Sequence, residues 1–146
     1  MTKKEKTDLH KLVRECVILR DRYCLYFEEK IIEENGVKTK EVIRCGKTTS
    51  LHASHIYPRG KYPKMAFDPL NVKALCMRHH LYWWHKHPIE ANKWLEKAID
   101  ADRLFRLRKR SNTIDKNPLI YSDIKKDLEK QIKFYQNEYN LDHENS

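Results

Sequence analysis

The order of apolar and polar positions along the chain predicts amphipathic helices at both ends. Residues 8–19 carry apolar side chains at helical spacing, and Thr7 precedes them as a candidate N-cap. Pro88 suits the first turn of a helix, which the pattern extends over 88–108. A last amphipathic helix is predicted over 122–139. We therefore expect helices to flank a central region of different character.

That central region has the pattern of short strands. Segment 25–44 is rich in β-branched and aromatic residues and is interrupted by Asn35-Gly36, a pair that tolerates positive φ and favours a tight hairpin turn. Segment 51–56 is predicted as another strand, and the short apolar segment 71–75 leads into a helix from residue 76 or 77 to about 85. Strands and helices together predict an α+β fold.

Length and composition fit a small globular protein. The chain has 146 residues, of which 40% are hydrophobic and 35% charged, so we expect one domain over 1–146 with a modest core. No run approaches the roughly 18 to 20 apolar residues of a membrane-spanning helix. The first residues also lack the apolar segment of a secretory signal. We therefore expect a reducing, cytoplasmic compartment, in which cysteines act as thiols or metal ligands and not as disulfides.

The charge of the chain favours an anionic partner. Lys and Arg number 30 against 21 Asp and Glu, a formal net charge of +9. The basic excess lies before residue 122, and its densest cluster is Arg103, Arg106, Arg108, Lys109 and Arg110. Such a cluster favours nucleic acid, whereas the alternative is an ordinary solvated basic face. Charge alone does not decide between the two.

Three of the 4 cysteines have positions typical of metal ligands. Cys24 and Cys45 flank the predicted hairpin, and Cys76 begins a C-x-x-H pair with His79. Three thiolates and one imidazole are a ligand set that suits tetrahedral zinc in a closed structural site. The alternative is three unrelated thiols. Cys16 lies on the apolar face of the first helix and is interpreted as a small core residue.

The hairpin explains how Cys24 and Cys45 can share one ion although they are distant in sequence. If Asn35-Gly36 is the turn, paired residues have numbers that sum to 71. Cys24 then faces Lys47 and Cys45 faces Tyr26, so the two thiols are offset by two residues at the open end of the hairpin.

Histidines and one asparagine surround this set in a distinctive order. His52 and His55 precede Asn71, and His80 directly follows the predicted zinc ligand His79. Any one of these histidines alone is more often a satisfied surface or core residue than a catalyst. The order of all of them is more specific than any single residue.

On these motifs the chain resembles the HNH endonuclease family, whose fold is the ββα-metal motif. The resemblance covers roughly residues 20–95 and is closest to phage HNH proteins related to the NinG recombination family. It rests on five sequence stretches: Arg20-Asp21-Arg22-Tyr23-Cys24, Cys45-Gly46-Lys47, His52-Ala53-Ser54-His55-Ile56, Asp68-Pro69-Leu70-Asn71 and Cys76-Met77-Arg78-His79-His80.

The resemblance implies a small ββα-metal core with a structural zinc site, an inserted β-hairpin, an N-terminal helix over 1–19 and a helical extension over 96–146. It implies a catalytic role for His55 as general base, together with Asn71 and His80, and a catalytic divalent ion such as Mg²⁺ held by His80. Cys24, Cys45, Cys76 and His79 match the family's zinc ligands. The implied activity is hydrolysis of DNA phosphodiesters to 5′-phosphate and 3′-hydroxyl ends.

The chain departs from the family pattern in three places. The hairpin separates the first two cysteines, His79 replaces the usual last cysteine, and Ser54 stands where many members have a metal ligand. Positions 52 and 54 of a strand share a face, so His52 is a candidate for the missing ligand. Asn71 is expected either to bind this ion or to orient the imidazole of His55.

DNA is the expected partner, and the candidate phosphate-binding residues are basic. They lie in the loop after His55 and in the cluster near residue 106: Arg59, Lys61, Lys64, Arg103, Arg106, Arg108, Lys109 and Arg110. The tryptophans Trp83, Trp84 and Trp94 are interpreted as core residues in preference to base-stacking ones.

Three functions fit the sequence. The first is a metal-dependent endonuclease or nickase, which includes a branched-DNA recombination nuclease of phage type acting in the host cytoplasm. The second is a zinc-stabilised DNA-binding protein without catalysis, for which Ser54 is the best argument. The third is an assembly protein that forms a homodimer through the final helix.

Overall fold

A computed structural model describes residues 1–144 and has a mixed α+β fold. The elements in chain order are α1 (Lys3–Asp21), β1 (Phe27–Glu34), β2 (Val37–Arg44), β3 (Leu51–His55), β4 (Val72–Cys76), a π-helix (Arg78–Trp84), α2 (Pro88–Ala98), α3 (Ala101–Ser111) and α4 (Tyr121–Glu144). Two short 3-10 turns, Pro63–Met65 and Pro69–Asn71, lie in the long loop between β3 and β4. No helix in this part of the chain is long and apolar enough to cross a membrane.

The strands form two separate antiparallel hairpins. In the first, Phe27 of β1 pairs with Arg44 of β2, which is the register that the Asn35-Gly36 turn predicts. Both turn residues have positive φ, 52° and 77°, as a two-residue hairpin of this kind requires. The second hairpin pairs β3 with β4, and His55 lies opposite Val72.

Two helix boundaries differ from the sequence prediction because of capping. α1 begins at Lys3, five residues before the predicted start, because Thr2 and Glu5 form a capping box. The Thr2 hydroxyl accepts a hydrogen bond from the Glu5 backbone N–H, and the Thr2 backbone N–H donates to the Glu5 carboxylate. The predicted helix over 88–108 is two helices, because Ile99 is extended and Asp100 caps α3. The first correction moves a predicted cap, Thr7, into the helix interior.

The β3–β4 hairpin lies between two apolar clusters. On one side α1 and α4 pack against it through buried residues that include Val13, Val17, Val72 and Leu128. On the other side the cluster contains two of the candidate zinc cysteines, apolar residues of β3 and β4, and residues of α2 and its C-cap: Cys24, Leu51, Leu75, Cys76, Trp94, Leu95 and Ile99. Cys16 is fully buried, which confirms its interpretation as a core residue. The central hairpin is therefore fixed from both faces.

Arginine side chains hold the end of the loop between β3 and β4. The Arg103 guanidinium donates to the carbonyl oxygens of Leu70 (2.8 Å) and Val72 (2.9 Å). Arg20 donates to Val72 O as well, at 2.6 Å, and to Pro69 O at 2.7 Å. These bonds satisfy carbonyls that no strand partner reaches.

Arg110 has a related role a few residues earlier in the same loop. Its guanidinium pairs with the Asp68 carboxylate and donates to the Lys64 carbonyl at 2.9 Å. The Lys64 ammonium in turn donates to the Asn117 carbonyl. Arg103, Arg110 and Lys64, which the sequence analysis predicts to bind DNA, thus all make contacts within the protein. Arg110 remains exposed, and the prediction that these residues bind DNA stays a prediction.

The contacts of Arg103 predict a role in stability. Arg103→Ala should lower the free energy of unfolding by about 1–3 kcal/mol, because two carbonyls lose a charged donor. Arg106→Ala is the matched control. Among residues 1–144, Arg106 makes only an exposed pair with Asp102, so this substitution should cost less than about 1 kcal/mol. Urea denaturation of both variants measures this difference. Equal effects of the two substitutions would contradict the assignment.

Candidate metal centre and histidine cleft

Four side chains converge on a candidate metal centre. The ligand atoms of Cys24, Cys45, Cys76 and His79 all lie within 4.8 Å of one another. His79 Nδ1 is 3.5 Å from Cys24 Sγ and 3.2 Å from Cys76 Sγ. Tetrahedral zinc, with Zn–S near 2.3 Å and Zn–N near 2.0 Å, requires N···S separations of about 3.5 Å. The four residues therefore fit a structural zinc ion, as their sequence spacing predicts.

Secondary structure brings these ligands together from three parts of the chain. The open end of the first hairpin continues through bonds from Cys24 N to Lys47 O (2.8 Å) and from Cys45 N to Tyr26 O (3.0 Å). Cys76 is the last residue of β4, and His79 lies in the first turn of the π-helix. The Tyr26 ring stacks on the His79 imidazole with 3.9 Å between centroids, which orients the ligand.

Burial makes a cation important for this cluster. Burial raises the pKa of the Cys24 thiol to about 12, with Cys76 and Cys45 adding to the shift. A thiolate at this position is thus unfavourable unless positive charge is nearby. Zn²⁺ supplies such charge and binds thiolates in preference to thiols.

Histidines line a cleft beside the metal centre. The cleft has a volume of about 840 Å³ and is lined by side chains from α1, β3, the π-helix and the loop after β3. Five of the lining residues are His10, His52, His55, His80 and His85. The sequence motif predicts three of these for the active site, His52, His55 and His80.

Three of the imidazoles form a group at one end of this cleft. The ring of His80 lies 5.3 Å from that of His52 and 4.6 Å from that of His85, measured between centroids. His80 and His85 are five residues apart, so the i→i+5 geometry of the π-helix brings them onto one face. His80 Nδ1 is buried and has no hydrogen-bond partner in residues 1–144.

His55 occupies the end of β3 in a defined tautomer. Its Nε2 lies 2.9 Å from the carbonyl oxygen of Ala66. A carbonyl only accepts, so Nε2 carries the proton and the neutral ring keeps its lone pair on Nδ1. Burial lowers the pKa of His55 below 6.5, although the Ala66 bond acts in the opposite direction. The ring is therefore neutral at physiological pH.

Asn71 holds the loop and not an ion. Its Oδ1 accepts from Tyr57 N (2.9 Å), and its Nδ2 donates to Tyr57 O (3.0 Å) and Met65 O (3.1 Å). The residue is fully buried. These contacts correct both sequence expectations, metal ligation and direct orientation of the His55 ring. Asn71 instead fixes the loop that contains Ala66, the acceptor for His55.

Ser54 does not line the cleft. It is fully buried, and its hydroxyl accepts a bond of 3.0 Å from the ammonium of Lys73 on the neighbouring strand. Lys73 Nζ lies 3.2 Å from the centroid of the Trp84 ring. Burial moves the pKa of Lys73 well below its usual value. Trp84 thus covers this pair. Trp94 is buried and packs against Trp83 at 5.2 Å, which agrees with the expected core role for Trp94. Trp83 and Trp84 are only half-buried, and Trp84 also lines the cleft.

The sequence did not single out His10, Arg14 or His85 for this cleft. His10 and Arg14 lie one turn apart on α1 and line the cleft together. The only signal in the sequence is this i, i+4 spacing beside the apolar face of a helix, which is common without any function. Arg59 also lines the cleft, whereas no residue of α3 does.

Comparison of the chain with protein-family models, curated proteins and solved structures found no match.

The metal centre predicts that folding depends on a tightly held zinc ion. The purified protein should contain one zinc per chain, and removal of zinc by a strong chelator should lower the melting temperature by 10 °C or more, on the order expected for a structural site. Metal analysis and thermal denaturation measure both effects.

Cysteine variants separate this site from the remaining thiol. Cys45→Ser should lose zinc, whereas Cys16→Ala should keep it, because Cys16 lies elsewhere in the core. Zinc bound equally by both variants, or a melting temperature unmoved by the chelator, would refute the assignment.

Proposed function

We propose that this protein is a metal-dependent DNA endonuclease or nickase of the HNH type. The observation that supports this most is the state of His55, a neutral imidazole whose Nε2–H is bound to Ala66 O and whose Nδ1 lone pair is left for a proton. This ring lies in the same cleft as the three-histidine group. A further support is the order of β3, β4 and the π-helix, which corresponds to a ββα arrangement.

His55 acts as general base in the proposed reaction. Its Nδ1 takes a proton from a water molecule as the water oxygen attacks phosphorus, and the bond from phosphorus to the 3′ oxygen breaks. Asn71 contributes indirectly, because it holds the loop whose Ala66 carbonyl fixes the tautomer of His55. The products are a 5′-phosphate and, after the 3′ oxygen takes up a proton, a 3′-hydroxyl.

His80 is the candidate ligand of the catalytic divalent ion, with the rings of His52 and His85 beside it at 5.3 and 4.6 Å between centroids. Within residues 1–144 the ligand atoms of these three histidines do not converge as closely as those of the cysteine-histidine group. A bound ion would stabilise charge on the non-bridging oxygen and on the leaving oxygen. Three imidazoles suit Ni²⁺ or Zn²⁺ better than Mg²⁺, which prefers oxygen ligands. Many HNH proteins have a metal ligand at the position of Ser54, directly before the general base. Because the Ser54 hydroxyl is hydrogen-bonded to Lys73, the histidines of the cleft would take the place of that ligand.

The closest competing function is a zinc-stabilised DNA-binding protein without catalysis. Two observations favour it: Ser54 is buried, and the described residues that line the cleft include no carboxylate for a hard cation. Under this alternative DNA binds and no strand is cut in any divalent ion. A branched-DNA nuclease of phage type is a narrower form of the main proposal and differs in substrate only.

Dimer formation through α4 stays a prediction. Leu128 and Ile132 of α4 are buried in the protein, whereas Phe134 and Leu141 are exposed. Sedimentation of the full chain, compared with a Phe134→Ser/Leu141→Ser variant, distinguishes a monomer from a dimer.

The proposal predicts that cleavage depends on His55. His55→Ala should reduce nicking of supercoiled plasmid in Ni²⁺, Mn²⁺ or Mg²⁺ by at least about 100-fold, the usual contribution of a general base. His87→Ala is the matched control, because His87 is exposed and does not line the cleft. Gel quantification with and without EDTA measures the rate.

The pH profile provides an independent readout of the same base. The rate should rise with pH and level off above a pKa that lies below 6.5, because burial disfavours protonation of His55. Unchanged cleavage in His55→Ala would refute the role of His55. Intact plasmid together with tight DNA binding would favour the non-catalytic alternative.

The remaining exposed basic residues of α3 predict a salt-dependent contact with DNA. Arg108→Gln/Lys109→Gln should weaken binding and reduce the slope of log affinity against log salt by about 2, one for each lost phosphate contact. Both side chains are exposed, unlike the loop-holding Arg103. An unchanged slope in fluorescence anisotropy would remove α3 from the proposed interface.

A further inference from the structure

α1 lies outside the HNH-like segment but contributes a histidine to the cleft. His10 is half-buried, with its ring 4.8 Å from that of Phe67 and edge-on to that of His55 at 6.3 Å. Helix α1 is held in place by the apolar core, through residues such as Val13 and Val17. The packing of α1 against the core therefore fixes the backbone position of His10.

Within the part of the chain that the structure describes, His10 makes one hydrogen bond, to a loop arginine. Its Nε2 lies 3.1 Å from Nη1 of Arg59. A guanidinium only donates, so Nε2 is the acceptor and the neutral ring carries its proton on Nδ1. Burial, with Arg59 and His55 adding to the effect, lowers the pKa of His10 to about 4, so this acceptor is retained at physiological pH.

Arg59 gains a defined position from this contact. It is an exposed residue beside Gly60, and such a side chain would otherwise sample many rotamers. Its charge acts on both His10 and His55, which places it near the proposed base. Its other N–H groups make no hydrogen bond within residues 1–144, so they remain able to donate to an anion.

We propose that His10 is a positioning residue that holds the Arg59 guanidinium at the cleft, where Arg59 binds a backbone phosphate of DNA next to His55. A fork of parallel donors suits the oxygens of a phosphodiester, and a pre-oriented arginine loses less entropy on binding. Arg14, one turn from His10, is held by a bond of 3.1 Å to Leu51 O and adds positive charge to the same cleft. The role in cleavage rests on the proposed function, whereas the role in phosphate binding does not.

Binding without cleavage tests this pair. Fluorescence anisotropy with a 20-base-pair duplex, zinc-loaded protein and no added divalent ion gives affinities for wild type, His10→Leu, His10→Gln, Arg59→Gln and the double variant His10→Leu/Arg59→Gln. Lys11→Gln is the control, because it removes one positive charge beside His10 on α1 and does not line the cleft.

The proposal predicts coupled effects on affinity. Arg59→Gln should weaken binding about tenfold, as expected for a lost charged hydrogen bond. His10→Leu should lose most of the same factor, and the double variant should bind no more weakly than Arg59→Gln. His10→Gln should restore binding, since its amide oxygen accepts from the guanidinium, and Lys11→Gln should change affinity less than twofold.

Zinc content and melting temperature, measured on every variant, exclude unfolding as the cause. Wild-type affinity in His10→Leu, losses that add in the double variant, or no rescue by His10→Gln would overturn the proposal. If the wild type cuts plasmid and no coupling is found, this pair is refuted and the nuclease proposal stands. If coupling is found and no cleavage occurs, the pair stands and the nuclease proposal fails. A wild type without affinity for DNA refutes both.

Discussion

The convergence of Cys24, Cys45, Cys76 and His79 is the constraint on which the rest of the structure depends. These residues come from the open end of one hairpin, the end of β4 and the start of the π-helix. Hydrophobic burial alone gives a chain of this length a modest core. A tetrahedral ion bound by these four residues would add directional bonds between segments that are distant in sequence and would fix the hairpin and the π-helix relative to β4.

The geometry of the histidine cleft depends in part on the candidate metal centre beside it. His80 follows the ligand His79, so fixing one backbone position fixes the next, and the π-helix then brings His85 onto the same face. On the opposite side, Asn71 and the arginines Arg20 and Arg103 hold the loop that presents the Ala66 carbonyl to His55. His55 and the three-histidine group are thus supported by separate networks, which favours precise placement of both.

Local sequence signals were sufficient to predict part of this architecture. The rest depends on contacts between residues that are far apart in sequence, and such contacts leave no local pattern. The Asn35-Gly36 turn determines the register of the first hairpin, and that register brings Cys24 beside Cys45. By contrast, a cluster of basic residues has the same sequence pattern whether its side chains face solvent or bind backbone carbonyls of the protein. Arg103 and Arg110 reach carbonyls more than 30 residues away, which no local pattern indicates. The contribution of His10 likewise depends on how α1 packs against β3 and β4.

The most direct measurement of the central claim is X-ray absorption at the zinc edge of the purified protein. The structure predicts three sulfur ligands near 2.3 Å from the zinc ion and one nitrogen ligand near 2.0 Å from it, with no water molecule bound to the ion. Cys45→Ser should lower the sulfur count or lose the metal, and Cys16→Ala should leave the spectrum unchanged. A site of nitrogen and oxygen ligands alone, or protein that folds without bound zinc, would contradict the account.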